Sequence, residues 1–205
     1  MKASIMAGAS YSGIELLRLL NQHPKVEIAE ITGSRSAGKD IDQIFPHLES
    51  MGLTLQKELH DSADIVFSAL PRGTSALALA PIIQDGIKVI DIGTDFRLKN
   101  PKEYLAWYGS NHPFPQYLNQ ACYGLTELNR SEIKQAQLVA NPGCYPTAAI
   151  LAMAPAIKSG IIEPDIIIDA KSGVSGAGQK LTSEYMYSEA NENVKAYSLN
   201  GHYHL

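Results

Sequence analysis

Short apolar runs alternate with segments of helical periodicity along the first two thirds of this chain. Each run is short enough for one buried strand, and segments with a helical pattern follow several of them. The runs predicted as strands are residues 3–7, 26–32, 64–70, 88–92 and 138–140. Helices are predicted over residues 14–20, 74–84 and 148–157. Such alternation is typical of α/β proteins, so we expect a doubly wound, mostly parallel sheet over about the first 140 residues.

Two other segments have less regular patterns. Residues 100–124 are rich in aromatic residues and prolines, which predicts a long ordered loop over a pocket or a simple covering flap. Gly160 ends the third helix, and residues 165–169 form another strand-like apolar run. We therefore expect a sheet domain over residues 1–143 and the start of an α+β substrate or dimerisation domain over residues 144–205.

Charge and hydropathy exclude several classes of protein. The 205 residues include 17 basic and 21 acidic side chains, for a formal net charge of −4. The basic residues are scattered and form no stripe that could follow a phosphate backbone, so we expect no nucleic-acid partner. No run approaches the roughly 18 apolar residues of a membrane span, and the N-terminus lacks a signal-peptide pattern. We expect a cytoplasmic protein whose two cysteines are free thiols.

A cysteine lies where the last predicted strand meets the long apolar helix. The run Asn-Pro-Gly-Cys-Tyr-Pro-Thr occupies residues 141–147, which places Cys144 at the start of that helix. Pro146 is tolerated there because its missing N–H has no intrahelical acceptor. The free amides and the positive end of the helix dipole stabilise a thiolate. Cys144 is thus either a nucleophile or a small buried thiol at a turn, whereas we interpret Cys122 as structural.

Two turns in the predicted sheet domain have features of a dinucleotide site. Residues 8–13 join the first strand to the first helix and would present amides to a pyrophosphate, although a purely structural turn fits them too. Residues 33–38 follow the second strand, where such folds contact the adenosine ribose. Ser34, Arg35 and Ser36 offer donors suited to a 2′-phosphate, or they form an ordinary solvated loop.

Three further segments are candidates for ligand contact. Residues 91–97 combine two acids and a base, most often a salt-bridged loop. Residues 171–178 contain three glycines and two serines, which indicates either a flexible loop that could pack closely around a ligand or a bare linker. His202 and His204 lie two residues apart, but no third ligand is near in sequence, so we predict no metal site.

The run Asn141–Thr147 resembles, over seven consecutive residues, the catalytic cysteine motif of the N-acetyl-gamma-glutamyl-phosphate reductases, a family of arginine biosynthesis related to aspartate-semialdehyde dehydrogenases. The loop at residues 171–178 is also nearly identical to that family's loop, and residues 201–204 match its Gly-His-x-His motif. The resemblance covers the whole chain. Family members continue well beyond Leu205, so we expect this chain to lack part of the family's pattern.

The resemblance implies a Rossmann domain that binds NADP(H), a small acyl phosphate as substrate, and a homo-oligomer in the complete family enzyme. It implies Cys144 as the nucleophile, His204 as the acid–base group and His202 in a supporting role. The implied cofactor-binding residues are Gly8, Ser10, Tyr11, Ser12, Gly13, Ser34, Arg35, Ser36, Leu70, Pro71, Gly73, Ser175 and Gly176. The implied substrate-binding residues are Arg97, Asn141, Ser172 and Gly173.

The first glycine turn departs from the family's Gly-x-x-Gly-x-x-Gly. Matching backward from Gly13 without a gap puts Ser10 and Ala7 on the other two glycine positions, whereas anchoring on Gly8 requires a deletion of one residue. Either way, a side chain or a shortened loop lies where the pyrophosphate approaches the backbone. We therefore expect weakened cofactor affinity.

The chemistry implied by the resemblance is reduction of an acyl phosphate. A cysteine thiolate expels phosphate to form a thioester, which accepts a hydride from a nicotinamide and releases an aldehyde. A thiol hydrolase would also use Cys and His but has no need of the N-terminal dinucleotide turn. The alternative is a catalytically incompetent fragment or degenerate paralogue that at most binds nucleotide, and we expect little turnover from this chain alone.

Overall fold

A computed structural model describes residues 1–60, 63–163 and 165–199 of the chain. The described residues form two compact units that divide between Pro142 and Gly143. The first unit contains a parallel sheet with helices on its faces. The second begins with a long helix and continues mostly without regular structure.

Seven strands form the sheet of the first unit. They are β1 (Lys2–Met6), β2 (Glu27–Thr32), β3 (Leu55–Gln56), β4 (Ile65–Ser68), β5 (Lys88–Asp91), β6 (Cys122–Tyr123) and β7 (Leu138–Ala140). Their order is β3-β2-β1-β4-β5-β7-β6, and every neighbouring pair is parallel. In β1 and β4, Ala3 lies opposite Ile65, which confirms the predicted doubly wound sheet.

Helices connect the strands of the first unit and open the second unit. They are α1 (Tyr11–Asn21), α2 (Ile41–Ile44), α3 (Ser75–Gln84), α4 (Pro101–Tyr108), α5 (Thr126–Gln135), α6 (Cys144–Lys158) and α7 (Tyr187–Ala190). Short 3₁₀ helices occur at Pro46–Met51, Pro115–Tyr117, Val174–Ala177 and Ser183–Tyr185. The apolar residues Ile14, Leu17 and Leu20 recur at helical spacing in α1, and all three are buried.

The core of the first unit consists of two clusters of buried side chains. Neighbouring residues of one strand contribute to different clusters, since Ile65 belongs to the cluster that includes α1 and Val66 to the one that includes α3. Successive side chains of a strand point to opposite faces of the sheet. The sheet is therefore covered on both faces, as a parallel sheet requires.

The segment at residues 100–124 was expected to be a long ordered loop over a pocket or a covering flap, but residues 101–108 form the helix α4. The Asn100 side chain accepts a hydrogen bond from the Lys102 amide at 2.9 Å, Pro101 opens α4, and Gly109 ends it with φ 72°. Tyr104, within this helix, is buried. Prolines that appeared to break regular structure instead lie at the first position of a helix.

The strand expected over residues 165–169 does not form, which corrects a second prediction. No described residue of the second unit lies in a strand, and the Ile167 side chain is 98% exposed. A single apolar run becomes a strand only where a neighbouring strand supplies hydrogen-bonding partners. The elements that the sequence pattern missed include the short edge strands β3 and β6 and the polar helix α5.

The strand order creates a switch point between β1 and β4. From β1 the chain proceeds outward to β2 and β3, and it then returns to β4 on the other side of β1. Connections leave the carboxyl ends of these two strands in opposite directions, which opens a crevice there. The turns at residues 7–10 and 69–74 border this crevice.

A pair of buried carboxylates lies at the end of β5, and we call Asp91 and Asp95 the buried acid pair. Both side chains are fully buried, and the Ser75 hydroxyl lies 2.9 Å from an oxygen of each. One hydroxyl carries one proton, so both carboxylates are satisfied by Ser75 only when one of them is protonated. Burial raises the pKa of Asp91 to about 6, and the Asp95 charge adds to this effect, while hydrogen bonds from the Gly93 amide, Ser75 and Ser68 oppose it.

Ala7 adopts a left-handed backbone conformation with φ 58° in the turn after β1. This conformation costs an L-residue about 1–2 kcal/mol, and glycine avoids that strain but loses about 0.5–1 kcal/mol through chain entropy. We expect Ala7→Gly to raise the free energy of unfolding by about 0.5–1 kcal/mol in urea titrations. The matched control is Ala78→Gly within α3, which should lower stability by about 1 kcal/mol. Destabilisation by both variants would contradict the strain at Ala7.

The raised pKa of Asp91 predicts a pH dependence of stability. A protonated Asp91 stabilises the folded state fully below pH 3.8, and this contribution disappears as the pH rises through about 6. Between pH 5 and pH 8 the wild type should therefore lose about 1–2 kcal/mol through this group. Asp91→Asn keeps a neutral group of the same shape. Relative to wild type, it should therefore be more stable at pH 8 than at pH 5 by about that amount.

The same comparison with Asp85→Asn, an exposed aspartate after α3, provides the control for general charge effects. Urea unfolding of the three proteins at both pH values measures the differences. If the free energy of unfolding of Asp91→Asn differed from that of the wild type by the same amount at pH 5 and pH 8, Asp91 would not change its protonation state in this range.

Candidate functional site

The turn after β1 is shaped by three close contacts. The Ser10 hydroxyl donates to the Ala7 carbonyl at 2.8 Å and accepts from the Gly13 amide at 3.1 Å, which caps α1. A Cβ at Gly13 would lie 2.5 Å from the Ala7 oxygen and 2.7 Å from the Gly8 oxygen, so only glycine fits. The left-handed Ala7 occupies a glycine position of the ungapped alignment, and its backbone conformation is one that glycine favours.

The start of α1 still offers donors toward the crevice. Among the described residues, the amides of Tyr11 and Ser12 donate no hydrogen bond, and both residues are exposed. The Ser10 hydroxyl accepts a hydrogen bond from the Gly13 amide within the turn, so this first-turn amide is not open to a ligand. Two amides and the positive end of the helix dipole remain for an anion.

The turn after β2 lies beside the turn after β1. The Gly8 amide donates to the Thr32 carbonyl at 2.8 Å, and a Cβ at Gly33 would lie 3.7 Å from the Ala9 Cβ. Ser34 and Arg35 are exposed, and Arg35 has no ion-pair partner among the residues that the structure describes. The guanidinium is therefore available to a ligand at this edge of the sheet.

The turn after β4 is held against the loop after β5. The Gly73 amide donates to both carboxylate oxygens of Asp95, at 2.9 and 3.1 Å, and the Ala76 amide donates to one of them at 3.1 Å. Leu70 is half-buried and Pro71 is exposed. The start of α3 is thus occupied by an internal carboxylate.

Arg97 and Asn141 meet at the carboxyl ends of β5 and β7. The Arg97 guanidinium donates through Nε to the Asn141 carbonyl and through Nη2 to the Ile92 carbonyl, both at 2.9 Å. The Asn141 amide donates to the Asp91 carbonyl at 2.8 Å. Arg97 therefore fixes the point where the chain leaves β7, and its proposed contact with substrate stays a prediction.

Two tyrosines share this part of the first unit. Burial raises the pKa of Tyr108 and of Tyr123, and in both cases the positive charge of Arg97 partly opposes the effect. The Arg72 guanidinium lies over the Tyr108 ring, 5.3 Å from its centroid. Both phenols remain neutral at physiological pH and can act only as hydrogen-bonding groups.

Cys144 is the first residue of α6 and is exposed. The first hydrogen bond that closes a turn of this helix runs from the Thr147 amide to the Gly143 carbonyl, and the Thr147 hydroxyl also donates to that oxygen. The N–H groups ahead of Thr147 have no acceptor within the helix. The structure thus agrees with the predicted helix start and excludes a buried thiol packed at a turn.

Cys122 has different surroundings. It is half-buried in the edge strand β6, and its Sγ lies 3.8 Å from the Tyr123 carbonyl. Burial raises the pKa of the Cys122 thiol, and the Glu132 charge acts in the same direction. Cys122 is therefore a poor nucleophile.

The loop at residues 171–178 is exposed throughout and contains one 3₁₀ turn at Val174–Ala177. A Cβ at Gly176 would lie 2.5 Å from the Ser172 Oγ, so the loop is folded on itself at this point. Nothing in the structure tests the predicted ligand contacts of Ser172, Gly173, Ser175 and Gly176. His202 and His204 lie outside the described residues.

The described residues contain no cluster of three His, Cys, Asp or Glu side chains that could hold a metal ion. None of their helices is long and apolar enough to cross a membrane.

Sequence reasoning missed the buried acid pair and Ser75 as parts of the site. The sequence pattern did not single out Ser75 as a site residue, because serine is common at the start of a helix. The two acids were interpreted as part of a salt-bridged loop, whereas both are buried and hydrogen-bonded to Ser75. Their proximity to the turn after β4 depends on the pairing of β4 with β5, which places Ser68 opposite Asp91.

Comparisons with known proteins agree with this architecture. Residues 2–136 match the family model described as semialdehyde dehydrogenase, NAD binding domain, and residues 144–205 match semialdehyde dehydrogenase, dimerisation domain. Aspartate semialdehyde dehydrogenase II of Vibrio cholerae, complexed with ASA, superposes with a TM-score of 0.57 at 18% identity over 87% of this chain and 48% of that chain. At this identity the likeness shows the fold alone.

Curated relatives are more similar in sequence. A protein of Dehalococcoides mccartyi named N-acetyl-gamma-glutamyl-phosphate reductase is 49% identical over 99% of this chain and 60% of its own length. One of a Geobacillus species with the same name is 46% identical over 100% of this chain and 61% of its own length. The chain thus spans about 60% of the length of the curated relatives it matches. Because the semialdehyde dehydrogenase model matches residues 2–136, the chain belongs to the semialdehyde dehydrogenase family.

Proposed function

We propose that this chain carries the cofactor-binding domain and the nucleophilic cysteine of an NADPH-dependent N-acetyl-gamma-glutamyl-phosphate reductase. Such an enzyme converts N-acetyl-glutamyl 5-phosphate to N-acetyl-glutamate 5-semialdehyde and phosphate. The observation that carries the proposal is Cys144 as the exposed first residue of α6, within the run that resembles the family's catalytic motif. The names of the curated relatives support it, and the match of residues 144–205 to a dimerisation domain supports a homo-oligomer.

The first unit has groups that fit a dinucleotide. The α3 N-terminus is filled by the Asp95 carboxylate, whereas the Tyr11 and Ser12 amides at the α1 N-terminus are open. A pyrophosphate would therefore bind at α1, in the crevice beside β1 and β4. The absent side chain at Gly13 lets α1 approach this turn closely.

The turn after β2 favours NADPH over NADH. An enzyme that selects NADH usually places a carboxylate near the ribose 2′-hydroxyl, but residues 33–38 contain none. The exposed Arg35, together with Ser34 and Ser36, supplies donors for a 2′-phosphate instead. NADPH supplies a hydride when it is bound.

The Cys144 thiolate would perform the covalent step. Its Sγ attacks the acyl carbon of the substrate, and the bond from that carbon to the phosphate oxygen breaks. This leaves a thioester on Cys144 and free phosphate. After hydride reaches the carbonyl carbon, the thiohemiacetal breaks its C–S bond, returns the electron pair to Sγ and releases the aldehyde.

Other groups of the chain would assist that step. Amides in the first turn of α6 can stabilise the negative oxygen that develops on the carbonyl carbon. The part of His204 as acid–base group and of His202 beside it stays a prediction. Substrate contacts by Arg97, Asn141, Ser172 and Gly173 likewise belong to the proposal.

The proposed cofactor preference can be tested at Arg35. We expect Arg35→Ala to raise the Kd for NADPH about tenfold, because a charged hydrogen-bonding partner of the 2′-phosphate is lost, and to leave the Kd for NADH unchanged. Arg18→Ala removes another exposed arginine, which pairs with Glu15 on α1, and should change neither value. Fluorescence titration of the wild type and the two variants with each nucleotide measures the six constants. Tighter binding of NADH than NADPH by the wild type would refute the preference.

The proposed nucleophile can be tested by alkylation. We expect iodoacetamide to modify Cys144 at least about tenfold faster than Cys122 at pH 7.5, because only Cys144 is exposed at a helix start and Cys122 is half-buried with a raised pKa. The variants Cys144→Ser and Cys122→Ser isolate each thiol, and mass spectrometry follows the rates. In 8 M urea the two rates should converge. A fast thiol that persists in Cys144→Ser would contradict the assignment.

A further inference from the structure

The proposed function puts the pyrophosphate at the start of α1 and the adenosine half beside the turn after β2. Because β4 lies on the other side of β1 from β2, the nicotinamide half would then lie on the β4 side of the crevice, which the turn at residues 70–73 borders. The shape of this turn is unusual in one respect, since Gly73 has φ 80°. The Thr74 hydroxyl donates to the Pro71 carbonyl at 2.7 Å and makes no capping bond to α3. The turn therefore uses the helix's own N-cap side chain, and α3 must be capped from elsewhere.

Asp95 supplies that cap from the loop after β5. Its carboxylate accepts from the Ala76 amide at 3.1 Å and from the Ser75 hydroxyl at 2.9 Å, both at the start of α3. It also accepts from the Gly73 amide with both oxygens, at 2.9 and 3.1 Å. Gly73 lies before the helix, so these last two contacts hold the turn itself.

A second residue of the same loop contacts the other end of the turn. A Cβ at Gly93 would lie 3.0 Å from the Asp91 Oδ1 and 3.1 Å from both the Leu70 carbonyl oxygen and the Ser75 Oγ. A larger residue at this position would therefore crowd the Leu70 carbonyl together with these two side-chain oxygens. The turn is thus fixed at Leu70 by close approach to Gly93 and at Gly73 by hydrogen bonds to Asp95.

Burial makes the Asp95 contacts strong. The side chain is fully buried, and its charge is balanced by backbone and hydroxyl donors, with the Tyr104 hydroxyl as a further donor at 3.3 Å. A helix cap alone would need only the contacts to α3. The additional contacts to Gly73 make the position of an exposed turn depend on a residue that is itself hidden from any ligand.

We propose that Asp95 is a positioning residue for the nicotinamide half of the cofactor. It fixes the turn Leu70–Gly73 by hydrogen bonds and thereby sets where that half of the cofactor binds. This inference rests on the proposed function, because it assumes that the crevice binds NADPH. It assigns Asp95 no contact with cofactor or substrate. Gly93 has the same role at the other end of the turn.

The test separates the two halves of the cofactor. Adenosine 2′,5′-bisphosphate contains the adenine, ribose and 2′-phosphate but no nicotinamide, so it serves as the probe for the adenosine half. The substitution Asp95→Asn removes the negative charge and leaves only one side-chain acceptor atom for the Gly73, Ser75 and Ala76 donors. We expect Asp95→Asn in the 205-residue chain to raise the Kd for NADPH about tenfold and the Kd for adenosine 2′,5′-bisphosphate less than about twofold.

Two further variants keep the test decisive if Asp95→Asn folds poorly. Gly93→Ala should produce the same selective loss of NADPH affinity, since its methyl group crowds the Leu70 carbonyl and the Asp91 and Ser75 side-chain oxygens without altering the charge at position 95. Tyr104→Phe removes the longest of the Asp95 contacts and leaves the turn's own bonds intact, so it should change neither Kd. Circular dichroism confirms that each variant is folded, and the change in nicotinamide fluorescence reports the environment of the ring directly.

The outcomes distinguish this inference from the proposed function. Wild-type binding of NADPH with a selective loss in Asp95→Asn or Gly93→Ala supports both. Wild-type binding with an equal loss of both ligands, or with no loss, overturns the positioning role and leaves the proposed cofactor standing. A wild type that binds neither ligand refutes the cofactor proposal, and the positioning role falls with it.

Discussion

The parallel pairing of β1 with β4 is the constraint on which the rest of the first unit depends. The two strands are separated in sequence by the whole β2–β3 excursion, so their adjacency forces the chain to leave their carboxyl ends in opposite directions. The crevice, the exposed turn at residues 70–73 and the open start of α1 all follow from that geometry. Burial on both faces of the sheet holds the pairing in place.

Three helix starts in the chain use the same physical property in different ways. Each start has unpaired amides and the positive end of a dipole, and each therefore attracts negative charge. The first amides of α1 remain open beside Gly13, the start of α3 is occupied by the Asp95 carboxylate, and α6 begins with the exposed Cys144 thiol. Under the proposed function, the cofactor phosphate, the buried carboxylate and the nucleophilic sulfur therefore lie at three separate helix starts.

The turn after β1 shows how a family pattern can change while its backbone path is kept. Ala7 adopts the left-handed conformation that glycine favours. Ser10 lies at another glycine position of the ungapped alignment, and its hydroxyl caps α1. The turn is therefore closed by its own side chain and stores strain at Ala7. Weaker cofactor binding is the expected consequence, because one of the first-turn amides is already used by Ser10.

The sequence alone determined the alternation of strands and helices, the doubly wound sheet and the position of Cys144 at a helix start, because all three depend on local periodicity and on residues adjacent in the chain. It did not determine α4, since Pro101 and the aromatic residues around it suggest a loop until burial of Tyr104 is known. It predicted a strand at residues 165–169 that lacks a neighbour. Only the tertiary structure decided that Asp95 reaches Gly73, 22 residues earlier in the chain. The physical reason is that strand adjacency, not sequence spacing, brings the end of β5 beside the turn after β4.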